Sequence, residues 1–162
     1  MQEQLIQKLH QYIITNNPDL LLELQGESSV TSYLHTKITG IEAMLEQLQT
    51  DKTPEYIIEE TCLEVLTQDL RPSKYNYIKD ILEEDFTKQF EQFRDDGILT
   101  TEIINLIQEC KPVFEDLIFS VENEDNQFIR YAITGQISEY LEGNGENENV
   151  SNGLQQSTET TG

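Results

Sequence analysis

Residues 53–86 read TPEYIIEETCLEVLTQDLRPSKYNYIKDILEEDF. Ile57, Ile58, Cys62, Val65, Leu66 and Leu70 recur at spacings of three and four, which puts them on one face of an α-helix. Thr53-Pro54 is a start signal. The threonine hydroxyl can accept from an orphan amide, and proline in the first helical position gives up an N–H that would have no partner there. Arg71-Pro72 stops the helix, because proline disfavours helical backbone in the residue before it. Ser73 is placed to cap a second helix with the stripe Tyr77, Ile78, Ile81, Leu82, Asp85 or Phe86, Phe90 and Phe93, closed by the turn residues Asp95-Asp96-Gly97. Two amphipathic helices in succession predict an all-α chain.

The same spacing extends in both directions. Upstream, Leu5, Ile6, Leu9, Tyr12 and Ile13 form a stripe that Asn17-Pro18-Asp19 interrupts, followed by a turn or a short helix through Leu20–Leu24. Ser28 or Ser29 can cap a helix over 29–49 with Val30, Tyr33, Leu34, Ile38, Ile41, Leu45 and Leu48 on one side. Downstream, Thr100 or Thr101 opens a segment carrying Ile103, Ile104, Ile107 and Cys110, which Pro112 must kink or divide before Val113, Phe114, Leu117 and Ile118. Residues 122–126, ENEDN, read as a polar loop. A last helix follows with Phe128, Tyr131, Ala132, Ile137, Tyr140 and Leu141 facing inward. Gly135 within it disfavours helix by roughly 1 kcal/mol relative to alanine, and close approach of another helix is one reason to place it there. From Gly143 to Gly162 the chain is GNGENENVSNGLQQSTETTG, too polar to bury and expected to be a disordered tail. The expectation is an all-α compact bundle of five to seven helices in a single helical domain, 1–142, with the tail at 143–162.

Leu, Ile, Val and Phe make up 46 of the 162 residues, about 28% and above the roughly 20% below which a charged chain stays unfolded. Against this core stand 31 Asp and Glu and only 10 Lys and Arg, a formal net charge of −21. Nucleic acids and anionic membranes bind through cations that displace counterions, so neither direct nucleic-acid binding nor membrane binding is expected. Two cysteines, Cys62 and Cys110, with no CxxC, support neither a disulfide framework nor a zinc site. The first residues lack the continuous apolar region of a secretory signal, and no apolar run approaches the roughly 18 residues that span a bilayer. The expected location is the cytoplasm.

Catalytic signatures are missing: no GxxxxGK[ST], no HExxH and no GxSxG. Neither His10 nor His35 has the glutamate three residues earlier that a di-iron bundle uses. No catalytic residue, metal ligand or cofactor is therefore expected. The carboxylates are the chemical excess, with Glu55 and Glu59, Glu60 and Glu64, and Asp80 and Glu84 four residues apart on their helices. If buried they could form acid–base pairs with raised pKa values; otherwise they are a solvated acidic face. Spread along a surface, acids can also mimic the phosphates of DNA and capture a DNA-binding enzyme.

One stretch departs from the acidic balance. Arg71, Lys74 and Lys79 surround the start of the second helix at Ser73, where free amides and the helix dipole favour an anion. Arg71, Ser73, Lys74, Tyr75 and Tyr77 are accordingly the candidate partner-binding residues. The alternative is that these cations pair with Asp69 and Asp80.

The stretch YIITNNPD at residues 12–19, with LTQDLRPSKYNYIKDILEEDF at 66–86 and ITGQISEYLEGNG at 133–145, resembles the bacterial domain-of-unknown-function family numbered 1896. Asn17-Pro18-Asp19, Leu70, Ser73 with Tyr75, and Thr134-Gly135 through Tyr140-Leu141-Glu142 occupy the places of the family's pattern, over about residues 5–145. Asp69 stands where that pattern has glycine and Asn17 where it has histidine. The resemblance implies an all-helical bacterial protein of the kind often carried on mobile elements. The family has no established activity, so the resemblance assigns no catalytic residue.

The functional expectation is a non-enzymatic acidic helical protein-interaction module associated with a bacterial mobile element, acting through a protein partner or as a homodimer. The alternatives are a DNA-mimic inhibitor of a DNA-binding enzyme, and an enzyme built on carboxylates.

Overall fold

Residues 57–66 and, apart from Phe86, 77–93 are α-helical in the computed structural model of the chain. The first helix ends at Leu66, ahead of the stop expected at Arg71-Pro72. The structure describes residues 1–161 and, for 27, 28 and 145–161, the backbone alone. The expected disordered tail at 143–162 lies, from residue 145 on, outside the described side chains. Among the described residues there are ten α-helices and no strand. In order they are α1 (Gln2–Asn16), α2 (Pro18–Leu24), α3 (Glu27–Thr39), α4 (Glu42–Thr50), α5 (Glu55–Leu66), a single 3-10 turn (Gln68–Leu70), α6 (Lys74–Asp85), α7 (Thr87–Asp95), α8 (Leu99–Glu109), α9 (Lys111–Asp116) and α10 (Gln127–Thr161).

The helix count exceeds the five to seven expected, and the reason is local. The helix read over 29–49 breaks at Gly40-Ile41, where Ile41 leaves helical geometry (φ −113°, ψ 9°). The helix read from Ser73 to Asp95 breaks at Phe86 (φ −131°, ψ 49°). The apolar stripe continues through both breaks because each half buries the same face, and periodicity does not register a bend between them. Pro112 does divide its segment, lying in the first turn of α9. Two start signals also moved. α3 begins at Glu27 with Gly26 as its cap residue, ahead of Ser28 and Ser29. Pro54 is the cap residue of α5, not its first helical residue, because its backbone is extended (φ −54°, ψ 141°); Thr53 N–H instead closes α4 on the Leu48 carbonyl at 3.1 Å.

That closure is one of three of the same kind. In each, two amides after the helix reach back to carbonyls of its last turn while the residue between them takes a left-handed conformation. At the end of α4 that residue is Lys52 (φ 57°), after α7 it is Gly97 (φ 74°), and after α9 it is Ile118 (φ 50°). After α9, Ile118 N–H bonds the Glu115 carbonyl at 3.2 Å and Phe119 N–H bonds the Phe114 carbonyl at 3.0 Å. Glycine takes this conformation freely, whereas a side chain carrying Cβ is penalised by about 1–2 kcal/mol, and a β-branched residue is the least suited to it.

The helices group into two compact units, Met1–Tyr77 and Ile78–Gly162. In the first, α1 packs against α2, α3 and α5, and α4 packs against α5. Its core is Leu5, Leu9, Ile13, Leu34, Ile38, Ile41, Leu45, Ile58, Cys62 and Leu66. In the second, α10 packs on α8 and α9, and α7 on α8. Ile78, Ile81, Leu82, Phe90, Ile103, Leu106, Cys110, Phe114, Ile129, Ile133 and Ile137 are buried there.

The stripe of α10 therefore differs from the one expected. Ile129, Ile133 and Ile137, four residues apart, face the core, while Phe128 and Tyr131 point to solvent. Gly135 lies on the exposed side and a Cβ there would meet nothing within 4 Å, so no close helix approach accounts for it.

Candidate functional site

Two segments of unit one that are 50 residues or more apart in sequence meet at one corner. Ser73 caps α6, its hydroxyl oxygen accepting from the Asn76 amide at 3.0 Å. The same hydroxyl donates to the Asn16 carbonyl, one of the orphan carbonyls at the end of α1. The Asn76 side chain donates to Asn16 Oδ1 at 2.8 Å, and the Asn17 side chain donates to the Leu70 carbonyl at 3.1 Å. Asn17-Pro18-Asp19 and the Leu70–Tyr75 turn, quoted separately in the sequence, are thus one hydrogen-bonded structure. Asn17 is buried, and its Oδ1 and Asp19 Oδ1 have no hydrogen-bond partner among the described residues. Burial raises the Asp19 pKa above its ordinary value, with the Glu23 charge adding to the rise and its own backbone amide and Lys74 opposing it.

The candidate partner-binding residues divide at this corner. Arg71 is exposed but turned onto the end of α5, donating to the carbonyls of Glu64 at 3.1 Å and Thr67 at 3.4 Å. Ser73 is engaged in the cap. Lys74 and Tyr77 are half-buried, and Tyr75 is buried, which leaves its ring little surface to offer a partner. Asp69 pairs with Lys37 at 2.8 Å.

Elsewhere in unit one, His10 and His35, the chain's two histidines, line a cavity of ≈ 440 Å³ together with Ile6, Leu21, Val30 and Leu34. Five of the six paired carboxylates, Glu55, Glu60, Glu64, Asp80 and Glu84, are exposed, and Glu59 is half-buried against Lys8. Among the described residues no three His, Cys, Asp or Glu side chains gather as a metal site needs, and no helix is long and apolar enough to cross a membrane.

In unit two, Ile98 is exposed between α7 and α8, and four more exposed large apolar side chains fall in one stretch of sequence. Ile118 (76%), Val121 (57%), Phe128 (67%) and Tyr131 (68%) fall in the loop after α9 and the first turns of α10. The loop is tied down by two asparagines. Asn123 Oδ1 accepts from Ser120 N–H at 2.7 Å, and its amide donates to the carbonyls of Leu117 and Ile118 at 3.2 and 2.9 Å. Asn126 Oδ1 caps α10, accepting from the amides of Phe128 and Ile129 at 2.8 and 3.3 Å. Apolar spacing alone places Ile118, Phe128 and Tyr131 inward. The available signal was that α10 carries two apolar faces, 128/131 and 129/133/137, and a helix packed on one surface needs one.

No family model matches the chain, and no curated protein or solved structure matches it either.

Proposed function

We propose that this protein is a non-enzymatic, acidic helical interaction module, acting in the cytoplasm through a protein partner, in the mobile-element setting that the family resemblance implies. One observation carries the reading: Ile118, Val121, Phe128 and Tyr131 are more than half exposed within a single loop and the helix start that follows it. Exposed apolar side chains scattered singly need no explanation, but a concentration that includes two aromatics has the composition of an interface hot spot. Asn123 and Asn126 hold the backbone that presents them, so little ordering is lost on binding.

The test is affinity capture from the native cell with the full chain and with the Phe128→Ala/Tyr131→Ala variant. Both side chains are exposed, so the variant folds as the parent does. The reading expects a partner, or a second copy of the chain, that the parent retains and the variant loses. Equal capture by both would sink it.

A further inference from the structure

Ile118 occupies the left-handed position of a helix closure that Gly97 fills after α7 in the same chain. Among the described residues its side chain is also the most exposed of the large apolar ones, at 76%. The conformation penalises a β-branched residue, and burial does not offset that penalty here. The closure itself is made by backbone amides and by the Phe114–Phe119 ring pair, none of which needs an isoleucine at 118. A β-branched side chain in this conformation and outside the core is the kind of strained residue that clusters at ligand and partner contacts.

The charge around it defines what that is. Glu122, Glu124 and Asp125 lie between Val121 and Phe128. Arg130, the single cation after Lys111 in the sequence, is already held by Glu84 Oε2 at 2.8 Å and Asp85 Oδ2 at 3.1 Å. The stretch that carries the apolar anchors, 112–129, therefore holds five acidic residues and no Lys or Arg, which opposes a second copy of a chain of net charge −21 and favours cations.

We propose that the α9–α10 corner is a docking surface for a basic amphipathic helix of a partner protein. Ile118, Phe128 and Tyr131 anchor its apolar face, and Glu122, Glu124 and Asp125 meet its lysines and arginines. This rests on the reading above that the protein works through a protein partner, and adds the chemistry of that partner.

The probes are three synthetic helical peptides of equal length: one amphipathic with Leu and Lys, one with Leu and Glu, and one with Lys and Ser only. Each is titrated into the full chain and followed by fluorescence anisotropy. The Leu/Lys peptide binds best, and the Ile118→Gly change weakens it by about tenfold, the effect of one lost anchor. Ile118→Leu retains the binding. Thermal stability of the Ile118→Gly variant stays level or rises, which separates an anchor from a structural residue. The Glu122→Gln/Glu124→Gln/Asp125→Asn variant also binds it more weakly. Equal binding of the Leu/Lys peptide by all variants reveals attraction to bulk charge alone and overturns the proposal, as does loss of stability together with binding in Ile118→Gly. If the cellular partner depends on Phe128 and Tyr131 but docks through an acidic or uncharged segment, this inference fails while the interaction reading stands. If capture ignores Phe128 and Tyr131, the reading itself fails.

Discussion

The ring of Phe119 leans on that of Phe114, centroids 4.9 Å apart and planes tilted by 53°. Phe114 lies in the last turn of α9 and is 2% exposed, while Phe119 is the third residue beyond the helix. An apolar contact across this gap accompanies the backbone closure around Ile118. A double-mutant cycle of Phe114→Leu and Phe119→Leu, followed by urea unfolding, is expected to give a coupling of about 0.5–1.5 kcal/mol beyond the two single effects. Additive effects would show that the pair does not secure the closure.

Ser73 links two helix ends, capping α6 and donating to the last turn of α1. Ser73→Ala is expected to lower stability by about 1–2 kcal/mol in urea unfolding, the upper range of a lost cap. Ser73→Asp keeps the acceptor for the Asn76 amide and loses the donor to Asn16, so its loss is smaller. A Ser73→Ala variant as stable as the parent would remove the corner from the determinants of the fold.

Asp19 is destabilised in its charged form by burial, and its folded pKa lies above the unfolded one. The folded state then holds the proton to higher pH than the unfolded state does. Stability contributed by this group falls as pH rises through the window between the two pKa values, and the full penalty is present above the folded pKa. Asp19→Asn removes the charge at every pH. The variant is therefore expected to melt above the parent at neutral pH, with the difference shrinking as pH falls below the folded pKa of Asp19. A difference that grows on acidification would contradict the sign.

Cys62 and Cys110 are fully buried. Burial pushes both thiols up, and that of Cys110 reaches about 12, with Glu109 adding to the rise. The thiolate is the reactive form. Iodoacetamide followed by mass spectrometry is expected to leave both cysteines unmodified at neutral pH over a time in which the urea-unfolded chain is fully alkylated. Labelling of native protein at either site would place that thiol outside the core.

Duplex DNA provides the test between the interaction module and the DNA mimic. Apolar anchors do not compete with phosphates, so added duplex is expected to leave capture of the partner unchanged. Displacement by DNA, with indifference to Phe128→Ala/Tyr131→Ala, would favour the mimic.

The helical class, the stops at Pro18 and Pro112, and the cap at Ser73 were all legible, because each follows from side chains within a few residues of one another. Periodicity named Leu5, Leu9, Ile13, Cys62 and Ile81 as core, since one helix face can be read from spacing alone. Tertiary structure decided what spacing leaves open. On α10 the faces 128/131 and 129/133/137 are both apolar, and only packing against α8 and α9 selects the isoleucines for burial. The meeting of Asn16 and Asn17 with Ser73 and Leu70 depends on long-range contacts that no local pattern contains. Ile118 read as the end of a buried stripe. Its exposure follows from where the amides of Ile118 and Phe119 find their carbonyls, because that backbone closure turns the side chain outward.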